Sequence, residues 1–266
     1  TRSNKNITNA NTAPTVTINQ AATQSDPTNV SLINFTVVFS ESVTGFTSAD
    51  ITLGGTAGAT TAVVTGSGAN YNVAVSGMVT DGTITVAINA GVASDTVGNL
   101  NTAGTSTDNE VTYNSTAPTV TINQAATQVD PTNIPSIDFT VVFSELVVGF
   151  TNSDITIGGT SGANTVVISG AGLTYTVTVT GMTNDGTVIV SIPSGSVTDP
   201  SGNGNAASTS TDNTVVYLDG IGPYVETVNT DPATPDQALT NGEVVTFDIT
   251  QLKVKFNQDV YNPAGD

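Results

Sequence analysis

The chain runs to 266 residues and carries 22 acidic against 4 basic side chains, a formal charge of −18, with no histidine and no cysteine. That composition excludes Ser-His-Asp and Cys-His catalysis, thiolate zinc sites and disulfides, and it leaves no basic surface for nucleic-acid phosphates or anionic lipid. No Lys, Arg or His lies between Lys5 and Lys253, so every acid in that stretch must turn to water, backbone amides or metal ions for a partner.

The chain repeats itself. Residues 13–116 align with 117–220 without a gap, at an offset of 104 residues and roughly 60% identity. The run APTVTINQAATQ begins at Ala13 and returns unchanged at Ala117. A period this long is a whole domain rather than a solenoid turn. Residues 1–12 match 105–116, the closing strand of a repeat, with Ile7 standing for Val111. Gly222-Pro223 opens a partial, diverged third module in 221–266. The expectation is a window from a longer array whose partners are its neighbouring modules. The other arrangement is exchange of end strands between copies, in a homo-oligomer or filament, because an added strand satisfies an open sheet edge.

Taken in chain order, the elements of one module have a period of two. Ile33, Phe35, Val37 and Phe39 alternate with Asn34, Thr36 and Val38. Tyr71, Val73 and Val75 alternate with Asn72 and Ala74, and Ile84, Val86 and Ile88 with Thr85 and Ala87. Alternation marks strands with one face on a core. It predicts seven of them, near 15–19, 32–39, 50–53, 61–66, 70–76, 83–89 and 107–113, separated by turn signals at Asp26-Pro27, Gly54-Gly55, Gly66-Ser67-Gly68 and Asp81-Gly82. Seven strands in about a hundred residues argue for an all-β fold of tandem immunoglobulin-like Greek-key sandwiches. Short Pro-containing joints at 114–118 and 218–223 limit bending, so the expected shape is an elongated rod.

The run FSE-x-V-x-GF-T-x-x-D-I, at 39–51 and again at 143–155, resembles bacterial Ig-like domains of large surface proteins and adhesins. So does Asp-x-x-Gly-Asn at Asp95 to Asn99 and Asp199 to Asn203, followed by a closing strand. The segment from Gly222, with Phe256-Asn257-Gln258-Asp259-Val260, is similar instead to the Ig-like domains of bacterial S-layer proteins; Gln258 stands there where Glu41 and Glu145 stand. The resemblance implies an extracellular, cell-surface stalk, spacer or surface-layer element, often rigidified by calcium.

Six acids recur at matched positions. Calcium takes hard oxygen ligands from several converging carboxylates. In an immunoglobulin-type sandwich the loops after the second, fourth and sixth strands share one end. That places Glu41, Asp50, Asp95 and Asp108 near the module entrance, with Asn99 beside Asp95. The second repeat supplies Glu145, Asp154, Asp199, Asn203 and Asp212. These are the expected metal residues, with calcium as the cofactor. Asp26/Asp130 and Asp81/Asp185 fall at the opposite end, facing the next entrance or serving as ordinary turn residues.

No catalytic residue is expected. Paired carboxylates hydrolyse glycosides, but the chain has no Trp and few aromatics to stack a sugar. Gly54-Gly55 and Gly158-Gly159 follow strands without opening helices and read as turns rather than phosphate cradles. Tyr71/Tyr175 and Tyr113/Tyr217 lie on apolar stripes and read as packing. The Asn-x-Ser/Thr sequons at Asn6, Asn29, Asn34 and Asn114 are not kept in the second repeat and read as chance. No apolar run is long enough to span a membrane. The expected role is a stalk, fibre or surface-layer element. Its rivals are an adhesive module contacting glycan or protein through its loops, and a spacer attached to a secreted enzyme.

Overall fold

The computed structural model describes residues 11–219 and the strands Val225–Thr230 and Leu252–Phe256. The first repeat carries β1 (Val16–Gln20), β2 (Ile33–Val43), β3 (Ile51–Gly54), β4 (Thr61–Ser76), β5 (Gly82–Ile88) and β6 (Glu110–Tyr113). The second carries β7 (Val120–Gln124), β8 (Ile137–Phe143), β9 (Thr156–Gly159), β10 (Thr165–Ala171), β11 (Thr174–Thr180), β12 (Gly186–Ser191) and β13 (Thr214–Tyr217). In the second repeat β10-β11-β8-β7 form one antiparallel sheet and β13-β12-β9 the other. Lettered in chain order this is D-E-B-A over G-F-C, the connectivity of a constant-type immunoglobulin sandwich. The first repeat repeats it as β1-β2-β4 over β3-β5-β6.

Burial follows the alternation. Ile33, Phe35, Val37 and Phe39 of β2 are buried, as are Val73 and Val75 of β4 and Ile84, Val86 and Ile88 of β5. The second core repeats this with Ile137, Phe139, Val141 and Phe143 against Val177, Val179, Val188 and Val190. An edge-to-face aromatic triad closes one end of each core: Phe39, Phe46 and Tyr71 in the first, Phe143, Phe150 and Tyr175 in the second. This explains the recurring GF: its Phe packs onto the core from a loop, buried as Phe46 and partly buried as Phe150. The Tyr71 hydroxyl leaves the apolar cluster to donate to the Val43 carbonyl at 3.3 Å.

Two boundaries differ from expectation. In the first repeat 61–66 and 70–76 merge into β4, although Gly66 (φ 116°) sits against the backbone of Asn70 and Tyr71 as the chain folds back. In the second repeat the corresponding strands stay separate. The closing strands begin at Glu110 and Thr214, three residues later than the 107 start expected for the first repeat. The residues before them are held elsewhere. The Ile18 amide donates to the Thr105 carbonyl, and the Asn19 side-chain oxygen accepts from the amides of Thr107 and Asp108. The Gly54-Gly55 turn is as expected: Gly55 has φ 92°, and a Cβ there would collide with the Thr83 backbone.

Beyond the repeats, β14 (Val225–Thr230) pairs antiparallel with β15 (Leu252–Phe256). Val225 stands opposite Phe256, as Val16 stands opposite Phe39 and Val120 opposite Phe143. After that first pair the register of β14-β15 shifts by a bulge between Val225 and Thr227, which β1-β2 and β7-β8 do not have. The other expectations for residues 1–10 and 220–266 lie outside the described residues.

Candidate functional site

The loop between the sixth and closing strands of each repeat is built around Asp-x-x-Gly-Asn. In the second repeat the Asp199 amide donates to the Asn203 carbonyl at 3.0 Å, and the Gly202 amide returns to the Asp199 carbonyl at 3.1 Å. Gly202 turns the chain at φ 96°, a region that favours glycine. Asp199 is 1% exposed. Its Oδ1 accepts from the Asn203 amide at 2.7 Å and its Oδ2 from Asn203 Nδ2 at 2.9 Å. The first repeat builds the same loop. Asp95 Oδ1 accepts from the Val97 and Asn99 amides, both at 2.9 Å, and Oδ2 from Asn99 Nδ2 at 2.8 Å. Burial pushes the Asp95 carboxyl up, but the Asn99 side chain and the backbone donors of Asn99, Val97 and Gly98 outweigh it and hold it below the usual carboxylate value.

This loop is where the two repeats meet. Asn114, directly after β6, donates through Nδ2 to Asp199 Oδ2 at 3.0 Å and to Glu145 Oε2 at 3.4 Å. Asn203 Nδ2 returns to the Asn114 carbonyl at 2.9 Å. Asn29, in the loop between β1 and β2, donates its amide to the Ser201 carbonyl at 3.1 Å and its Nδ2 to Asn203 Oδ1 at 3.2 Å. Three asparagines and a buried aspartate thus interlock across the boundary. Beside them Asp81, from the turn before β5, clasps the linker. Its Oδ1 accepts from the Ser115 amide at 2.7 Å and from Ser115 Oγ at 2.8 Å, and its Oδ2 accepts from Thr116 Oγ1.

A family model for the bacterial Ig-like domain matches residues 10–113 and again 114–216. The chain belongs to the bacterial Ig-like domain family. No curated protein matches it. Domains of this family are structural or surface modules and are typically non-enzymatic.

The other acids of the two bacterial Ig-like modules serve locally. Asp50 closes the 3-10 turn Ser48–Asp50, accepting from the Thr47 amide at 2.7 Å and from Thr47 Oγ1 at 2.8 Å; Asp154 does the same for Thr151. The Thr-x-x-Asp of the family motif is therefore a capping box. Asp108 and Asp212 are exposed, and their amides are held by Asn19 and Asn123. Asp26 and Asp130 accept from the closing strands through the Thr112 and Val216 amides. Glu41 is exposed at the far end of β2. Among the described residues no group of three or more carboxylates is placed to hold a metal ion. The acids that do come together are Glu145 and Asp199, through Asn114.

Sequence reasoning missed Asn29 and Asn114, read there as chance sequons, and Ser201. The signal available was that Asn29 recurs as Asn133 whereas Asn114 is replaced by Leu218.

One pH prediction follows from Asp81. The Thr116 hydroxyl, then the Ser115 amide and side chain, hold its carboxyl below the ordinary 3.8. A lowered folded value means the clasp contributes fully above the unfolded value and is lost as pH falls through the folded one. The group is exposed, so the effect on global stability is small. Carboxyl-carbon NMR is expected to give Asp81 a midpoint below 3.8, with the Ser115 and Thr116 amide signals shifting over the same range. A midpoint at or above 3.8 overturns the clasp.

Proposed function

We propose that this chain is a structural spacer segment of an extracellular bacterial surface protein, a stalk, fibre or surface-layer element, whose two repeats are held in line as a rod by polar interlocking at their joint. The observation that carries this reading is the reciprocal pair Asn114 Nδ2 to Asp199 Oδ2 and Asn203 Nδ2 to the Asn114 carbonyl. A joint of this kind fixes direction as well as distance, because donors and acceptors run both ways across it. Family membership supports a surface module, and no helix among the described residues is long and apolar enough to cross a membrane.

One observation favours a second, calcium-assisted form of the reading. Glu145 and Asp199 share one amide donor, and the repeats hold no cationic side chain. A divalent ion bridging that pair would relieve acid against acid. The natural chain has no cysteine, so spin labels at Ser67→Cys and Ala171→Cys, matched exposed positions in the two modules, report on the joint alone. A single narrow distance in calcium and in excess EDTA is the expected result. Narrowing only with calcium assigns the stiffness to the ion. A broad distribution in both overturns the rod.

A further inference from the structure

The Asp-x-x-Gly-Asn loop is the same in both repeats, but the module exits that precede and follow them are not. The exit between the repeats reads Asn114-Ser115-Thr116, and all three residues are used: Asn114 by Asp199 and Asn203, Ser115 and Thr116 by Asp81. The exit of the second repeat, at matched positions, reads Leu218-Asp219-Gly220. Leu218 has no side-chain amide to offer a carboxylate. Asp219 places an acid where Ser115 gave Asp81 a hydroxyl, and its backbone amide reaches Asp185 at 2.6 Å. Leu218 is 43% exposed.

Upstream, the segment that aligns with the exit reads Ala10-Asn11-Thr12. Ala10 stands 104 residues before Asn114, and it precedes a module that carries the full loop, Asp95 to Asn99. The loop therefore recurs whether or not an asparagine stands before it. Within each repeat the loop carries the same internal bonds, Asp95 to Asn99 and Asp199 to Asn203. What varies from joint to joint is the exit residue.

We propose that the exit asparagine is the lock of a module joint. An exit with Asn at the Asn114 position fixes the following bacterial Ig-like module through its Asp-x-x-Gly-Asn loop, and an exit with Ala or Leu there does not. The two repeats are then one stiff pair, and the exits that carry Ala10 and Leu218 lack the amide that locks it. The physical reason is asymmetric. A buried carboxylate that gains an amide donor from the neighbouring module is stabilised by the docked arrangement. The same carboxylate against alanine or leucine loses solvent on docking and receives no donor for it. Stiffness along the array is written in single exit residues. This rests on the rod reading above, and the test separates the two.

In the full chain, Asn114-Ser115-Thr116 is replaced by Leu-Asp-Gly, and the distance between labels at Ser67→Cys and Ala171→Cys is measured. The expected result is a distribution broadened by about two-fold or more, since relative motion is the default when an interface is weakened. Circular dichroism and the melting of both modules stay near the parent's values, because no core residue changes. A second variant, Asn114→Ala, reproduces the upstream exit residue and is expected to give most of the broadening. If the parent distribution is narrow and both variants are equally narrow, the lock is overturned and the rod stands. If the parent is itself broad, the rod reading fails first. Should the exchanged exit lower the melt of a module, the single Asn114→Ala variant decides by the same criterion.

Discussion

Replacing Asp199 with alanine is expected to destabilise the second module by about 2–3 kcal/mol, since the donors left behind each carry a desolvation penalty. The carboxylate is 1% exposed and accepts from the Asn203 amide, Asn203 Nδ2 and Asn114 Nδ2. Its removal strands donors from the loop and from the neighbouring module together. For a domain of this size that corresponds to a fall in melting temperature of about 10 °C or more. Asp199→Asn is expected to recover little. The new amide group can turn an oxygen to the Asn203 backbone, but its nitrogen then meets two other amide nitrogens. Asn114→Ala serves as the comparison. It removes the donor that crosses the boundary and leaves the loop's own bonds, so it loosens the joint with a loss of about 1 kcal/mol or less. A melt of Asp199→Ala within about 2 °C of the parent would show that water replaces the carboxylate without cost.

What was legible in the sequence divides along the same line as local and non-local physics. The strands were readable because Ile33, Phe35, Val37 and Phe39 alternate, and alternation is a property of the strand itself. The turn at Gly55 was readable because glycine tolerates its φ of 92°. Recurrence of Asp95 and Asp199 was readable as a constraint, but not its nature. An acid with no cation in reach points to a metal by composition; composition does not show that the loop also gives it backbone amides and an asparagine four residues on. That arrangement depends on a hairpin closing between Asp199 and Asn203, which no periodicity announces. Asn29 and Asn114 were illegible for a further reason. Their partners lie 174 and 85 residues away along the chain, and nothing local distinguishes a joint asparagine from a solvated one.

The largest effect is expected from Phe139→Ala. Phe139 is fully buried in β8, the strand that sits between β7 and β11, opposite Gln124 on one side and Val177 on the other. Truncation removes a ring from the middle of a small core and leaves a cavity that two flanking strands cannot close, a loss of about 3–5 kcal/mol. Against a total of about 5–15 kcal/mol for a domain, that is enough to lower the second module's transition far below the parent's. The first module has its own core and shares with the second the polar contacts of the joint, each contributing about 1 kcal/mol. Calorimetry of the full chain is therefore expected to resolve two transitions, one shifted and one near its original position. The matched substitution Phe35→Ala, in the first core, is expected to shift the other. A single transition that moves as a whole in both variants would show that the joint couples the modules into one folding unit, which the few hydrogen bonds across it do not account for.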